Sequence, residues 1–265
     1  MDRVTILGSA SAVPDENHEN THIIVRSGKR VILVDCPGSP IIRLQKMGIG
    51  ADDLSDLILT HFHPDHVSGF APLLMGLWLL GRKNPLSVYG NAATIDRAEK
   101  MLSLYGWEKW PDFYPVKFIR VADQELAPLL ESPEVRVFAS PVEHLIPTIG
   151  LRFEFAASEK IFAYSCDTQP SPVVVRLAKD ADLLIHEATG NSVGHTPPER
   201  AGEIAAEAGV KSLCLIHYPP LLVSPESLLS KAGQTYHGPI QVAKDFLSFT
   251  FEPVSAVGVN RAEES

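Results

Sequence analysis

Residues 59–66 read L-T-H-F-H-P-D-H, which places His61, His63, Asp65 and His66 within six positions at the end of the apolar run D-L-I-L-T (56–60). An apolar run of strand length that stops where ligating residues begin predicts a strand delivering side chains to its own end. His61 and His63 are two apart in a segment leaving that strand, so both project to the same side. Pro64 prevents regular continuation and turns the backbone, bringing Asp65 and His66 toward the same space. Imidazole nitrogen with carboxylate oxygen is the donor set of zinc, manganese or iron, not of magnesium or calcium. Four such groups in six residues exceed what one tetrahedral ion takes from so short a loop. Two ions sharing the loop, with further ligands from elsewhere, fit better. A polar loop of surface histidines would explain a lone histidine, but it explains this cluster poorly.

The segments around the cluster fix its setting. V-T-I-L-G (4–8) reads as a strand, and H-I-I-V-R-S-G-K-R-V-I-L-V-D (22–35) as a hairpin turning at Ser27-Gly28-Lys29. Pro40 to Met47 is expected to be a short helix, followed by the strand at 56–60. After Gly69 the pattern is helical to about Leu80, P-L-S-V-Y-G (85–90) is strand-like, and Ala92 to Tyr105 is helical again. Val116–Val121, Val135–Ser140, Ile149–Phe155 and Lys160–Ser165 alternate like antiparallel strands, the last two joined by the hairpin-sized loop Ala156–Glu159. From Ser171 the order becomes helix (Val173–Lys179), strand (Asp182–His186), helix (Pro197–Ala208), strand (Leu213–Ile216), helix (Pro225–Ala232) and a closing strand near Leu247–Phe251. This order predicts an α/β (α+β) chain with two mixed sheets packed face to face and helices outside. No Gly/Ser/Pro linker divides it, so one domain over 1–265 is expected.

Composition narrows the setting further. Of 265 residues, 45 % are apolar and 21 % charged, the balance of a chain that can bury a sizeable core. The N-terminal M-D-R-V-T-I-L-G-S-A-S-A-V-P has no secretory pattern, and the run from Phe70 to Leu80 is too short to span a bilayer. Cys36, Cys166 and Cys214 are too few and too scattered for a disulfide framework, so a reducing cytoplasm and no membrane are expected. The net charge of −9 (23 basic, 32 acidic) disfavours charge-driven nucleic-acid binding, although bound divalent cations would offset several negative charges.

T-H-F-H-P-D-H-V-S-G resembles the signature loop of the metallo-β-lactamase-fold hydrolases. The resemblance implies a four-layer αββα sandwich with a two-metal site at one edge of the sheets. That family draws further ligands from the ends of later strands, and this chain supplies candidates in the same order. His144 follows V-R-V-F-A-S-P-V-E, Asp167 follows I-F-A-Y-S-C, and His217 follows S-L-C-L-I. Carried over position by position, the resemblance assigns His61, His63 and His144 to one metal. It assigns Asp65, His66 and His217 to the other, with Asp167 bridging. Two divalent ions about 3.5–4 Å apart, zinc first and manganese or iron as alternatives, would share a water and lower its pKa toward neutrality. The resulting hydroxide would attack a phosphodiester, with Asp65 counted among the catalytic groups. Glu143, Asp35 and Asp56 are candidate outer partners of the ligating histidines.

Further motifs are similar to ribonuclease Z, which removes 3′ trailers from precursor tRNA. They run from L-G-S-A-S-A-V-P through N-P-L-S-V-Y-G-N, S-C-D-T, L-L-I-H-E-A-T and H-T-P-P-E-R-A-G-E-I-A to H-G-P-I-Q-V-A-K-D, and so cover nearly the whole chain. The resemblance makes His195 a candidate to protonate the leaving 3′ oxygen or hold the phosphate, and Glu187 a candidate to orient it. A structural reading is compatible with this: Thr196 would cap the helix from Pro197, with Glu199 closing a capping box. His186 is expected to be structural, Cys166 to be a buried thiol facing away from the site, and His18 and His22 to be surface loop residues, with reach to the site rim as the alternative.

Three departures weaken the case for precursor tRNA while leaving phosphodiester chemistry intact. Only two strands and a short turn separate His144 from Asp167, leaving no room for the long tRNA-binding arm of ribonuclease Z. S-A-V-P-D-E-N-H-E-N lacks that family's basic residue, and D-C-P-G-S-P replaces D-C-G-E-G. The loop W-E-K-W-P-D-F-Y (107–114) would either stack on bases or act as a lid, packed loop or dimer contact. The expected substrate is therefore RNA or a small cyclic or aryl phosphodiester. The alternatives are a lactone, thioester or sulfate-ester hydrolase of the same fold and a non-catalytic metal-binding protein. Relatives often dimerise, so a homodimer is an open expectation.

Overall fold

Alternation along the first three strands sets the layering. In β1 (Asp2–Gly8), β2 (His22–Ser27) and β3 (Arg30–Val34), the side chains of Val4, Ile6, Ile23, Val25, Ile32 and Val34 join one buried cluster. Leu7, Ile24 and Leu33 join a second. Successive side chains of a strand point to opposite faces, so this sheet is covered on both sides and its strands read as continuous apolar runs. Each buried aliphatic chain contributes about 1.5–3 kcal/mol relative to exposure.

The computed structural model describes residues 1–254, so positions 255–265 of the expected domain lie outside the described residues. After β3 the chain continues through α1 (Pro40–Lys46), β4 (Asp56–Ile58), α2 (Pro64–Val67), α3 (Phe70–Leu79), β5 (Leu86–Gly90), α4 (Ala92–Leu104) and β6 (Val116–Arg120). Next come β7 (Ala127–Glu131), β8 (Val135–Val142), β9 (Thr148–Phe155), β10 (Ile161–Tyr164), α5 (Pro172–Leu177) and β11 (Leu183–Glu187). The last elements are α6 (Pro198–Glu207), β12 (Leu213–Ile216), α7 (Pro225–Ala232), β13 (Ile240–Val242) and β14 (Ser248–Phe251).

Two seven-stranded sheets result, ordered β14-β1-β2-β3-β4-β5-β6 and β13-β12-β11-β10-β9-β8-β7. Both are mixed. The first is antiparallel from β14 to β3 and parallel from β3 to β6. The second is antiparallel from β7 to β10 and parallel from β10 to β13. Helices α1, α3 and α4 cover the outer face of the first sheet through Leu44, Phe70, Leu74 and Ile95. Helices α5, α6 and α7 pack Val174, Ile204 and Leu228 onto the second. This is the expected αββα sandwich.

Two parts differ from expectation, the strands β7 and β13 and the turn at Pro64, while the 107–114 loop takes its packed-loop alternative. β7 and β13 were not foreseen: Pro128 interrupts the first, and the second is three residues long. The turn at Pro64 is itself a four-residue helix, α2, with proline at its first position, where a missing N–H costs nothing. The 107–114 loop is a packed aromatic cluster: Trp110 stacks on Trp78 at 5.3 Å, and Phe113 stands edge-on to Trp107. Between His144 and Asp167 the chain is the β9–β10 hairpin, with no inserted arm. No helix among the described residues is long and apolar enough to cross a membrane.

Candidate metal centre

Parallel β10, β11 and β12 end at one edge of the second sheet, so the residues that follow them arrive at a common rim. His61 and His63 reach that rim from the end of β4, and His144 from the end of β8. Asp35, Cys166 and His217 take left-handed backbone conformations just past strands (φ 60°, 55° and 53°), turning the chain sharply where side chains must converge. All seven candidate ligands come together. His63 Nδ1 lies 3.1 Å from both His61 Nε2 and His144 Nε2. In the second group, His217 Nε2 lies 3.4 Å from His66 Nε2 and 3.4 Å from Asp65 Oδ2. Asp167 Oδ2 stands between the groups, 3.4 and 3.5 Å from His217 and His66 and 3.9 Å from His61 and His144.

These separations suit a divalent ion. Donors about 2.0–2.1 Å from a tetrahedral metal sit about 3.3–3.4 Å from one another. Asp167 Oδ1 is buried with no hydrogen-bond partner among the described residues, which in a protein interior calls for a compensating cation.

Hydrogen bonds select which imidazole nitrogens face inward. His66 donates from Nδ1 to Asp35 Oδ2 (2.8 Å), and His144 from Nδ1 to the Gly194 carbonyl (2.7 Å). The Thr189 hydroxyl donates to the His217 carbonyl, so it accepts from His217 Nδ1 (2.8 Å). Thr60 Oγ1 likewise donates to Asp35 Oδ2 and accepts from His61 Nδ1 (3.1 Å). In all four rings the proton sits on Nδ1 and the Nε2 lone pair is left for a metal. Of the three outer partners considered, Asp35 serves. Asp56 instead accepts from Arg30 and Tyr89, and Glu143 holds none of these rings.

The charges agree with this arrangement. Burial, assisted by neighbouring imidazoles, pushes His61, His63 and His144 below the ordinary histidine value, toward the neutral ligating form. Burial opposes ionisation of Asp167, but His217, His66 and His61 outweigh it and hold the carboxyl well below the usual range. Burial likewise resists a charge on His66, yet Asp167 and Asp35 raise its pKa well above the ordinary value. Protons and metal therefore compete at its Nε2.

Beside the centre, Glu187 is fully buried at the end of β11 and accepts from the amides of Thr168 and Thr189. Its Oε1 also accepts from His195 Nδ1 at 3.0 Å, and the His195 ring stacks on His217 at a centroid distance of 5.7 Å. Burial works against a charge on His195, but Glu187 outweighs it and raises its pKa. A cavity of about 400 Å³ opens here, lined on its polar side by His63, Asp65, Asp167, Thr189, His195 and His217.

Other expectations need correction. Thr196 does not cap α6: its hydroxyl donates to the Thr168 carbonyl, and extended Pro197 takes the N-cap position without a side-chain bond. Cys166 is buried as expected, but it does not face away. β10 has already ended at Tyr164, and the thiol lies 3.7 Å from His61 Nδ1. His22 is buried against the Asn20 carbonyl and His18 pairs with Asp15; neither lines the cavity. His186 is buried with Nδ1 on the Glu187 carbonyl, a structural position as expected. Thr189, Thr60 and the Gly194 carbonyl were not foreseen. Thr189 and Gly194 act on histidines distant in sequence, and Thr60, beside His61, is indistinguishable in sequence from an ordinary strand-end residue.

The fold and the site define a class of protein. Residues 30–218 match the beta-lactamase superfamily domain, and the chain belongs to that superfamily as a metal-dependent hydrolase. Among curated relatives, ribonuclease Z of Mycobacterium sp. (strain KMS) is 31 % identical over 252 residues, spanning 86 % of this chain and 88 % of that one. The metallo-beta-lactamase fold protein YhfI from Bacillus subtilis superposes with a TM-score of 0.80 at 26 % identity, over 94 % of this chain and 98 % of its own. The short form of human tRNase Z superposes at 0.76 over 96 % of this chain and all of its own, a likeness of fold at 23 % identity.

Proposed function

We propose that the protein hydrolyses phosphodiesters at a two-metal centre, with zinc the expected ion. His61, His63 and His144 would hold one ion, Asp65, His66 and His217 the other, and Asp167 would be shared. One observation carries this reading: a single oxygen, Asp167 Oδ2, faces imidazole nitrogens of both groups at 3.4–3.9 Å. Divalent ions held there supply Lewis acidity toward a phosphoryl oxygen and bring the pKa of water toward neutrality. Relatives named ribonuclease Z support phosphodiester bonds as the target.

The chain's own residues supply the rest. Asp65 borders the cavity and orients the attacking water by accepting its hydrogen bond. His195, anchored through Nδ1 to Glu187, presents its other nitrogen toward the cavity and protonates the departing oxygen. Glu187, fixed by two backbone amides, sets that ring's orientation and favours its protonated form.

Metal analysis of the purified protein, paired with bis(p-nitrophenyl) phosphate hydrolysis, tests the proposal. About two ions per chain are expected, with turnover abolished by chelation and restored by metal, and with both metal content and turnover reduced in Asp167→Ala. Less than one ion per chain, or undiminished turnover in Asp167→Ala, contradicts it.

A further inference from the structure

The cavity beside the metal centre also has an aliphatic lining, from Ala12, Val13, Pro219, Leu221 and Leu222. Three of these are conspicuously exposed, with Val13 at 60 %, Leu221 at 65 % and Leu222 at 82 %. Leu145, which follows His144 and lies against Gly194, and Val193, two residues before His195, are also exposed. Apolar side chains held in water from separate loops around one opening mark a contact surface.

The same loops lack positive charge. Segments 9–22, 60–69, 166–175, 187–199 and 217–230 each contribute lining residues, and segment 142–148 carries His144. None of the six contains a lysine or arginine, whereas Asp15, Glu16, Glu19 and Glu143 are among their acidic residues. Arg97 and Lys100 line a different groove, with Phe62, Met101, Leu104 and Tyr105, which holds none of the metal-centre residues. A polyanion is held by cations along its backbone, and no lysine or arginine lines this mouth. A cavity of about 400 Å³ matches a small molecule.

Resting on the phosphodiester reading above, we infer that this apolar collar selects a small, singly charged phosphodiester whose non-departing group is an aryl or similarly bulky apolar substituent. The phosphoryl group faces the histidines and carboxylates, and the apolar substituent lies on Val13, Leu221 and Leu222. A multiply charged RNA strand is disfavoured at the same mouth.

The test holds the leaving group constant and varies the other substituent. For the metal-loaded protein, kcat/KM for phenyl p-nitrophenyl phosphate should exceed that for methyl p-nitrophenyl phosphate by at least about tenfold, after correction for their hydroxide-catalysed rates. Leu221→Ser/Leu222→Ser and, separately, Val13→Ser should each shrink that ratio. Calorimetric titration adds a readout without turnover: diphenylphosphinate should bind at least about tenfold more tightly than dimethylphosphinate, and the double variant should narrow the gap. Equal ratios, ratios unchanged in the variants, or precursor tRNA cleaved with a higher kcat/KM than the phenyl diester would overturn the inference. So would a dimer in sedimentation that the double variant dissociates, because the collar would then be a subunit contact. Absence of turnover on every diester contradicts the phosphodiester reading instead, and the phosphinate titration still decides the collar.

Discussion

Replacing Asp35 by asparagine changes no backbone requirement, because asparagine tolerates the left-handed conformation found there (φ 60°). It should nevertheless disable both halves of the metal centre. Asp35 Oδ1 accepts the Thr60 amide, and Oδ2 accepts both the Thr60 hydroxyl and His66 Nδ1, each at 2.8 Å. With an NH₂ group in place of Oδ2, those two contacts reverse. His66 must accept at Nδ1 and carry its proton on Nε2. Thr60 must then donate to His61 Nδ1, which moves that ring's proton to Nε2 as well. One atom thus turns the ligating nitrogen of a ring in each group into a donor. Loss of an outer-shell partner typically costs 10–100-fold in metal affinity, so two affected ligands predict a loss of roughly 10²–10⁴-fold. The metal-free protein keeps its polar pairing and should lose only about 1–3 kcal/mol. Competition against a chromophoric zinc chelator, run beside urea melts of the metal-free protein, separates the two effects. Metal affinity within about threefold of the parent would refute the tautomer reasoning.

Three other outcomes follow from the same contacts. Thr189→Val preserves shape but removes the acceptor that fixes His217; the same chelator titration should show about 10–100-fold weaker binding of one ion, with the other unchanged. His195→Ala should lower kcat about 10²–10⁴-fold on diesters with alkoxide leaving groups and far less on p-nitrophenyl esters, which depart without a proton. Equal losses on both would remove the acid role. Asp182 accepts from Lys160, Lys211 and the Ile161 amide, and these contacts overcome burial to lower its pKa. A depressed carboxylate contributes stability above its unfolded pKa of about 3.9 and loses it as pH falls through the folded value. Asp182→Asn should therefore melt below the parent at pH 7, with the gap narrowing as pH falls through the depressed folded value.

Much of the centre was legible because metal chemistry restricts residue types. Four donors crowd one strand end at 61–66, and His144, Asp167 and His217 each follow an apolar run, so strand order alone brings them to one rim. What could not be read depends on backbone angle or on contacts through space. Cys166 was expected to alternate away from Asp167, but its positive φ breaks the strand rule and turns the thiol toward His61. Thr196 before two prolines has the composition of a cap. The helix starts one residue later than expected, and the hydroxyl serves Thr168 instead. Choosing Asp35 over Asp56 and Glu143 required knowing that β3 lies beside β4, which brings the Asp35 carboxylate within reach of the Thr60 amide. β13 is too short, and β7 too interrupted by proline, for periodicity to reveal either.

The central claim is that Asp167 stands between two ions. Anomalous diffraction at the zinc absorption edge from crystals of the zinc-loaded protein tests it most directly. Two peaks about 3.5–4 Å apart are predicted, one against His61, His63 and His144, the other against Asp65, His66 and His217, with Asp167 Oδ2 in contact with both. A single peak, or peaks away from Asp167, would contradict the account.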